Sequence, residues 1–104
     1  MKLLDCQGKH YREVNAMVEE LWNTGEREII LEGINGHRYI GRALSGNGYI
    51  EVRGTPGDDL GIFMDGATVR VRGNVQDGSG NTMNSGKIIV EGDGEFNREA
   101  GLAA

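Results

Sequence analysis

Four short stretches of the chain alternate apolar with other side chains at a period of two. Ile29/Leu31, Ile50/Val52, Val69/Val71 and Ile88/Val90 hold matching places in "EIILEG", "YIEVRG", "TVRVRG" and "KIIVEG". Such alternation marks a strand that buries one face. Shifted along itself by 19 residues, the chain lays "GYIEVRG" (48–54) on "ATVRVRG" (67–73), and that on "GKIIVEG" (86–92). The loops follow the same shift: Gly61 falls on Gly80, Met64 on Met83, Asp65 on Asn84 and Asp58 on Asp77. A looser copy, "EIILEGINGHRYIGRALSG" (28–46), is offset by 20 or 21, with Gly33 in the place of Gly54, Gly41 of Gly61 and Leu44 of Met64.

A repeat of this length, holding one alternating strand and a shorter "GIFM"-like strand, predicts a β-solenoid in which each repeat is one coil. The apolar pairs then stack inward, rung on rung, each buried side chain stabilising the fold by roughly 1.5–3 kcal/mol. Leu44, Met64 and Met83 form a second inner column. The outward positions test the register. Glu32, Arg53, Arg72 and Glu91 make one column, and Ile30, Glu51, Arg70 and Ile89 the other. Neighbours about 4.8 Å apart across a parallel ladder would pair Glu32 with Arg53, Glu51 with Arg70 and Arg72 with Glu91, against one like-charged rung, Arg53 with Arg72.

Upstream of the repeats, "YREVNAMVEELWNTG" puts Val14, Met17, Val18 and Leu21 on one face of a helix that ends near Gly25. A short strand, "KLLDC", precedes it. The expected organisation is one mainly β domain over 1–104, with a strand and capping helix in 1–27 and glycine-rich repeats in 28–104. Downstream, "GDGEFNREAGLAA" stops where the next inward strand should begin, so the last coil is expected to be uncapped and open to a partner or a second copy.

Composition narrows the function. With 104 residues, one domain is expected, with room for a scaffold and one surface site. A net charge of −5 without a dense Lys/Arg cluster argues against a nucleic-acid partner. Cys6 is the only cysteine, which excludes an internal disulfide and a cysteine-built metal site. The N-terminus turns polar too early for a secretion signal and no apolar run is long enough to span a membrane, so a soluble, cytoplasmic protein is expected.

The glycine loops do not carry an obvious chemistry. "GNTMNSGKI" spaces Gly80 and Gly86 by six rather than five, and Ile88 stands where a phosphate loop has Ser or Thr. Asp58, Asp59, Asp65 and Asp77, with Asn74, Asn81 and Asn84, have the oxygen donors for calcium but lack the nine-residue repeat of calcium-binding β-rolls. Such residues at corners more often bond the turn backbone. Cys6 and His10, four apart, have no third orienting residue, and His37 has no ligand at metal spacing. No catalytic, cofactor-binding or metal-binding residue is assigned, and no cofactor is expected.

Taken together, "INGHRYIGRAL", "GTPGDDLGIFMDGATVRVRGNVQDGSGNTMNSGKIIVEGD" and "LDCQGKHYREVN" resemble the C-terminal, GXGXG domain of the glutamate synthase large subunit, especially its stand-alone versions. The resemblance covers roughly residues 3–93. The same domain is similar to a structural subunit of formylmethanofuran dehydrogenase. The resemblance implies a right-handed parallel β-helix, a single-stranded solenoid of 19–21 residues per coil. It also implies a non-catalytic scaffold that docks onto glutamate synthase-like amidotransferase or flavin partners, since in that enzyme the chemistry lies in other domains. After "GD" the chain departs from the family pattern. Contact is expected at the exposed corners Asp58, Asp59, Asp65, Gln76, Asp77 and Asn81, and near the open end at Phe96 and Leu102. Alternatives are a self-associating module that forms a homo-oligomer through the open coil, a structural role like that in formylmethanofuran dehydrogenase, or a ligand-binder using the Gly/Asp corners.

Overall fold

The computed structural model describes residues 1–73 and 85–91, and the backbone of 97–99. The elements run β1 (Lys2–Asp5), α1 (Tyr11–Asn23), β2 (Glu28–Asn35), β3 (Tyr49–Thr55), β4 (Asp65–Arg72), β5 (Ser85–Glu91) and β6 (Asn97–Glu99). All six strands lie in one open sheet in sequence order. β1 to β5 are parallel, and β6 runs antiparallel to β5.

The strand register follows the hydrophobic pattern. Ile29 pairs with Ile50, Ile50 with Val69 and Val69 with Ile88, while Leu31, Val52, Val71 and Val90 continue the second row. These eight side chains are 0–5% exposed. Leu44 and Met64 are buried with them, as are Ile34, Ile40, Leu60 and Ala67, which the pattern does not mark. Met83 lies outside the described residues.

The architecture differs from the expected right-handed β-helix. Among the described residues it is a small α/β domain with one open sheet and one helix, not a solenoid. Where the repeat predicts a short second strand, residues 39–44 and 59–64 make consecutive tight turns, Arg42 N–H to Tyr39 C=O and Ile62 N–H to Asp59 C=O. Tyr39, Gly41 and Ala43, and their equivalents Asp59, Gly61 and Phe63, take positive φ, which no strand can hold. The end of the sheet differs too: β6 pairs with β5 through Lys87↔Glu99, Ile88↔Arg98 and Ile89↔Asn97, so the edge expected to be open is occupied. Stacked inward columns require an in-register parallel sheet and equal spacing; they do not dictate the path between strands, which is why the pattern is compatible with both.

A bulge separates the looser first repeat from the others. Ile34, not Gly33, pairs with Gly54, because the register slips by one between Leu31 and Ile34. Gly54 is required there: at φ +128° a Cβ would stand 2.0 Å from the Ile34 carbonyl oxygen.

Helix α1 begins at His10, whose Nδ1 accepts from the Arg12 N–H at 3.1 Å, and ends in a Schellman turn. Gly25 N–H bonds Trp22 C=O and Glu26 N–H bonds Leu21 C=O, with Gly25 at φ +100°. Its buried face is Val14, Val18 and Trp22, with Leu21 packed partly against the core. Trp22, absent from the expected face, is the anchor: its Nε1 donates to Ser45 C=O at 2.8 Å, and it lies so close to Gly48 that a Cβ there would meet the ring at 2.3 Å.

Candidate functional site

Of the acidic corner expected for contact, Asp58 and Asp59 fall in the connection between β3 and β4, and Asp65 opens β4. Asp58 and Asp65 are exposed and Asp59 is half-buried, its backbone at φ 61°. Asp65 is held by the Ser85 hydroxyl, which donates to its Oδ1 at 2.5 Å. Between them stands Phe63, 48% exposed although aromatic, and at φ 59°. An exposed apolar ring in a left-handed backbone is unfavourable on both counts, and such residues concentrate at functional surfaces. Phe63 is not among the contact residues expected from the sequence, where "IFM" reads as an inner strand; its departure from Ala43 at the equivalent place is the only signal there. Gln76, Asp77, Asn81, Phe96 and Leu102 lie outside the described residues.

The thiol and imidazoles serve structure. Cys6 is fully buried, its Sγ–H directed at Leu4 C=O, and burial pushes its pKa up to about 11, which leaves no thiolate for nucleophilic work. His10 caps α1. His37, 7% exposed, accepts the Asn35 N–H at Nδ1 (3.0 Å) and meets Lys9 C=O through Nε2 (2.7 Å), tying the β1–α1 turn to the end of β2. Among the described residues no three His, Cys, Asp or Glu side chains gather as a metal site, and no helix is long and apolar enough to cross a membrane.

On the outward face of the sheet a charge lattice forms, partly as the columns predict. Arg53 pairs with Glu32 at 3.6 Å and Arg72 with Glu91 at 3.5 Å. Arg70, however, forms its ion pair with Glu91 rather than with Glu51. Glu51 sits between the like-charged rung Arg53 and Arg72, accepting from Arg53 Nε at 2.7 Å, Arg72 Nε at 3.3 Å and the Tyr49 hydroxyl at 2.8 Å. Its side chain is 7% exposed, and the Arg53 hydrogen bond above all holds its pKa down at about 2, against the opposing effect of burial. The expected repulsion between Arg53 and Arg72 is thereby answered by one carboxylate.

A cleft of about 430 Å³ opens between α1 and the turns at 39–45. Tyr11 and Tyr39 meet there edge to face at 5.7 Å, with Arg12 over the first ring and Arg38 over the second. No sequence motif announces it, because its residues come from a helix and a loop whose packing only the fold defines.

The GXGXG motif family model matches residues 15–101. An uncharacterized protein of Methanocaldococcus jannaschii is 38% identical over 84 residues, which is 78% of this chain and 32% of that protein. The chain thus spans about a third of the length of the curated relative it matches. No solved structure matches significantly.

Proposed function

Because the chain belongs to the GXGXG motif family, we propose that it is a non-catalytic scaffold that docks onto glutamate synthase-like partners, amidotransferase or flavin-dependent chains. The family match across most of the chain carries the reading. The buried, protonated Cys6 supports it, since the one thiol is placed for packing. The docking surface is the acidic corner of Asp58, Asp59 and Asp65 together with Phe63, an exposed apolar ring flanked by these acids along the chain, in keeping with a contact anchor.

Co-purification of the tagged chain with glutaminase-like or flavin synthase-like proteins tests it. The wild type should retain such a chain, and the triple variant Asp58→Ala, Asp59→Ala, Phe63→Ala should lose it while keeping its far-UV circular dichroism. Equal capture by both would place the interface elsewhere. Recovery of the tagged chain alone would remove the docking reading and favour self-association.

A further inference from the structure

We propose that the cleft between α1 and the 39–45 turns binds a nucleoside phosphate. Two equivalent loops create it. Residues 57–65 stack on 37–45 at an offset of 20, through Tyr39 N–H to Asp58 C=O (3.1 Å), Gly61 N–H to Ile40 C=O (2.7 Å), Ala43 N–H to Ile62 C=O (2.8 Å) and Asp65 N–H to Leu44 C=O (2.8 Å). The second loop therefore turns a row of backbone groups toward the first: the carbonyls of Asp58, Ile62 and Asp65, and the N–H groups of Gly57, Gly61 and Asp65. By the same geometry the first loop turns the carbonyls of Arg38, Arg42 and Ser45 and the N–H of Gly41 toward α1.

The helix meets only the two ends of that edge. Asn15 Nδ2 donates to the Arg38 carbonyl at 2.8 Å, and Trp22 Nε1 to the Ser45 carbonyl at 2.8 Å. In the middle, Gly41 N–H and Arg42 C=O have no protein partner among the described residues, and both residues line the cleft. An adjacent backbone donor and acceptor aimed the same way match a heterocycle edge with a ring nitrogen beside an exocyclic amine, as adenine has. Strand-like pairing cannot use them, because a helix stands where the next loop would be.

The surroundings fit the rest of the ligand. The cleft volume lies in the range of small-molecule sites, roughly 300–1,000 Å³. Tyr11 and Tyr39 supply aromatic contact on the cleft wall, and Tyr39 is kept at φ 60° although left-handed backbone disfavours its bulk. Arg12 and Arg42 line the cleft, and among the described residues neither forms an ion pair, whereas Arg53, Arg70 and Arg72 all do. Two guanidiniums without an ion pair among the described residues, in a chain of net charge −5, favour an oxyanion, and Glu19 on the same wall disfavours a second one far from them. The cleft and the docking surface at Asp58 lie on adjacent stacked loops, joined by the Tyr39 N–H to Asp58 C=O bond, but neither reading rests on the other.

Trp22 is the only tryptophan and lines the cleft, so its fluorescence reports binding directly. Titration of the protein with AMP should give a saturable change. Adenosine and ribose 5-phosphate should each bind about tenfold or more weakly than AMP, and Arg12→Ala and Arg42→Ala should each weaken AMP by about tenfold, the loss of one charge-assisted contact. Tyr39→Asn, which a left-handed backbone accepts, should retain the melting transition and weaken AMP. No saturable change with AMP at millimolar concentration would overturn the proposal. So would unchanged AMP affinity in the folded Arg12→Ala, Arg42→Ala double variant, or ribose 5-phosphate binding as tightly as AMP.

Discussion

Glu51 shows how far a single position can depart from its place in a pattern. Alternation puts it on the solvent face, and the charge columns expect it to pair with Arg70, but it is buried beneath Tyr49, Arg53 and Arg72. Its carboxylate pKa is depressed in the fold to about 2, below its ordinary value of 4.5. The stabilisation it gives is therefore complete above about pH 4.5 and is lost as pH falls toward 2. Urea unfolding at neutral pH should find Glu51→Gln less stable by about 2 kcal/mol, since two arginines lose their shared partner. Repeated between pH 5 and pH 2.5, the wild type should lose stability faster than the variant; parallel curves would mean that Glu51 does not carry the charge lattice. The members of this lattice are legible in the sequence but their pairing is not, because rung neighbours are fixed by register while diagonal partners depend on rotamers of long side chains.

At the scale of elements, the strands are legible in the sequence and the connections are not. The four alternating runs define β2 to β5 and their inward rows because burial of Ile29, Ile50, Val69 and Ile88 leaves one register available. Helix α1 is legible for the same reason, from its apolar spacing and from Gly25 at its end. The turns at 39–44 and 59–64 pass for strands in the sequence because Leu44 and Met64 are inward-facing in either geometry, and a left-handed Tyr39 or Phe63 has no sequence signature. Glycine position separates the two kinds of constraint. Gly54→Ala, with a Cβ driven against Ile34 C=O, should lower stability by about 3 kcal/mol or more, while Gly46→Ala, which meets no atom within 4 Å, should cost about 1 kcal/mol from its φ of 87° alone. Equal losses in chemical denaturation would show that backbone crowding between β2 and β3 is relieved by movement.

Across the whole molecule, one apolar cluster joins α1 to the sheet. Val14, Val18 and Trp22 belong to the same buried set as Ile29, Val52, Val71 and Ile88. The helix is therefore part of the core and not an appendage. Val18→Ala and Val71→Ala should each lower the midpoint of a single transition followed by both circular dichroism and Trp22 fluorescence. A fluorescence transition that precedes the circular dichroism change in Val18→Ala would make α1 a separate unit. The acidic corner, the charge lattice and the cleft occupy different places on this one body: the β3–β4 connection, the outward sheet face and the helix side.

The order of the strands has a further consequence. Each of β2 to β5 pairs with the strands just before and after it in the chain, so sheet order and chain order coincide. Length is then a free variable of the design: duplication of a segment equivalent to one repeat would slot a new strand beside β3 without rethreading the rest. Growth of such a gene by tandem copying would enlarge the sheet in steps, with β1 at one edge and the reversed β6 at the other.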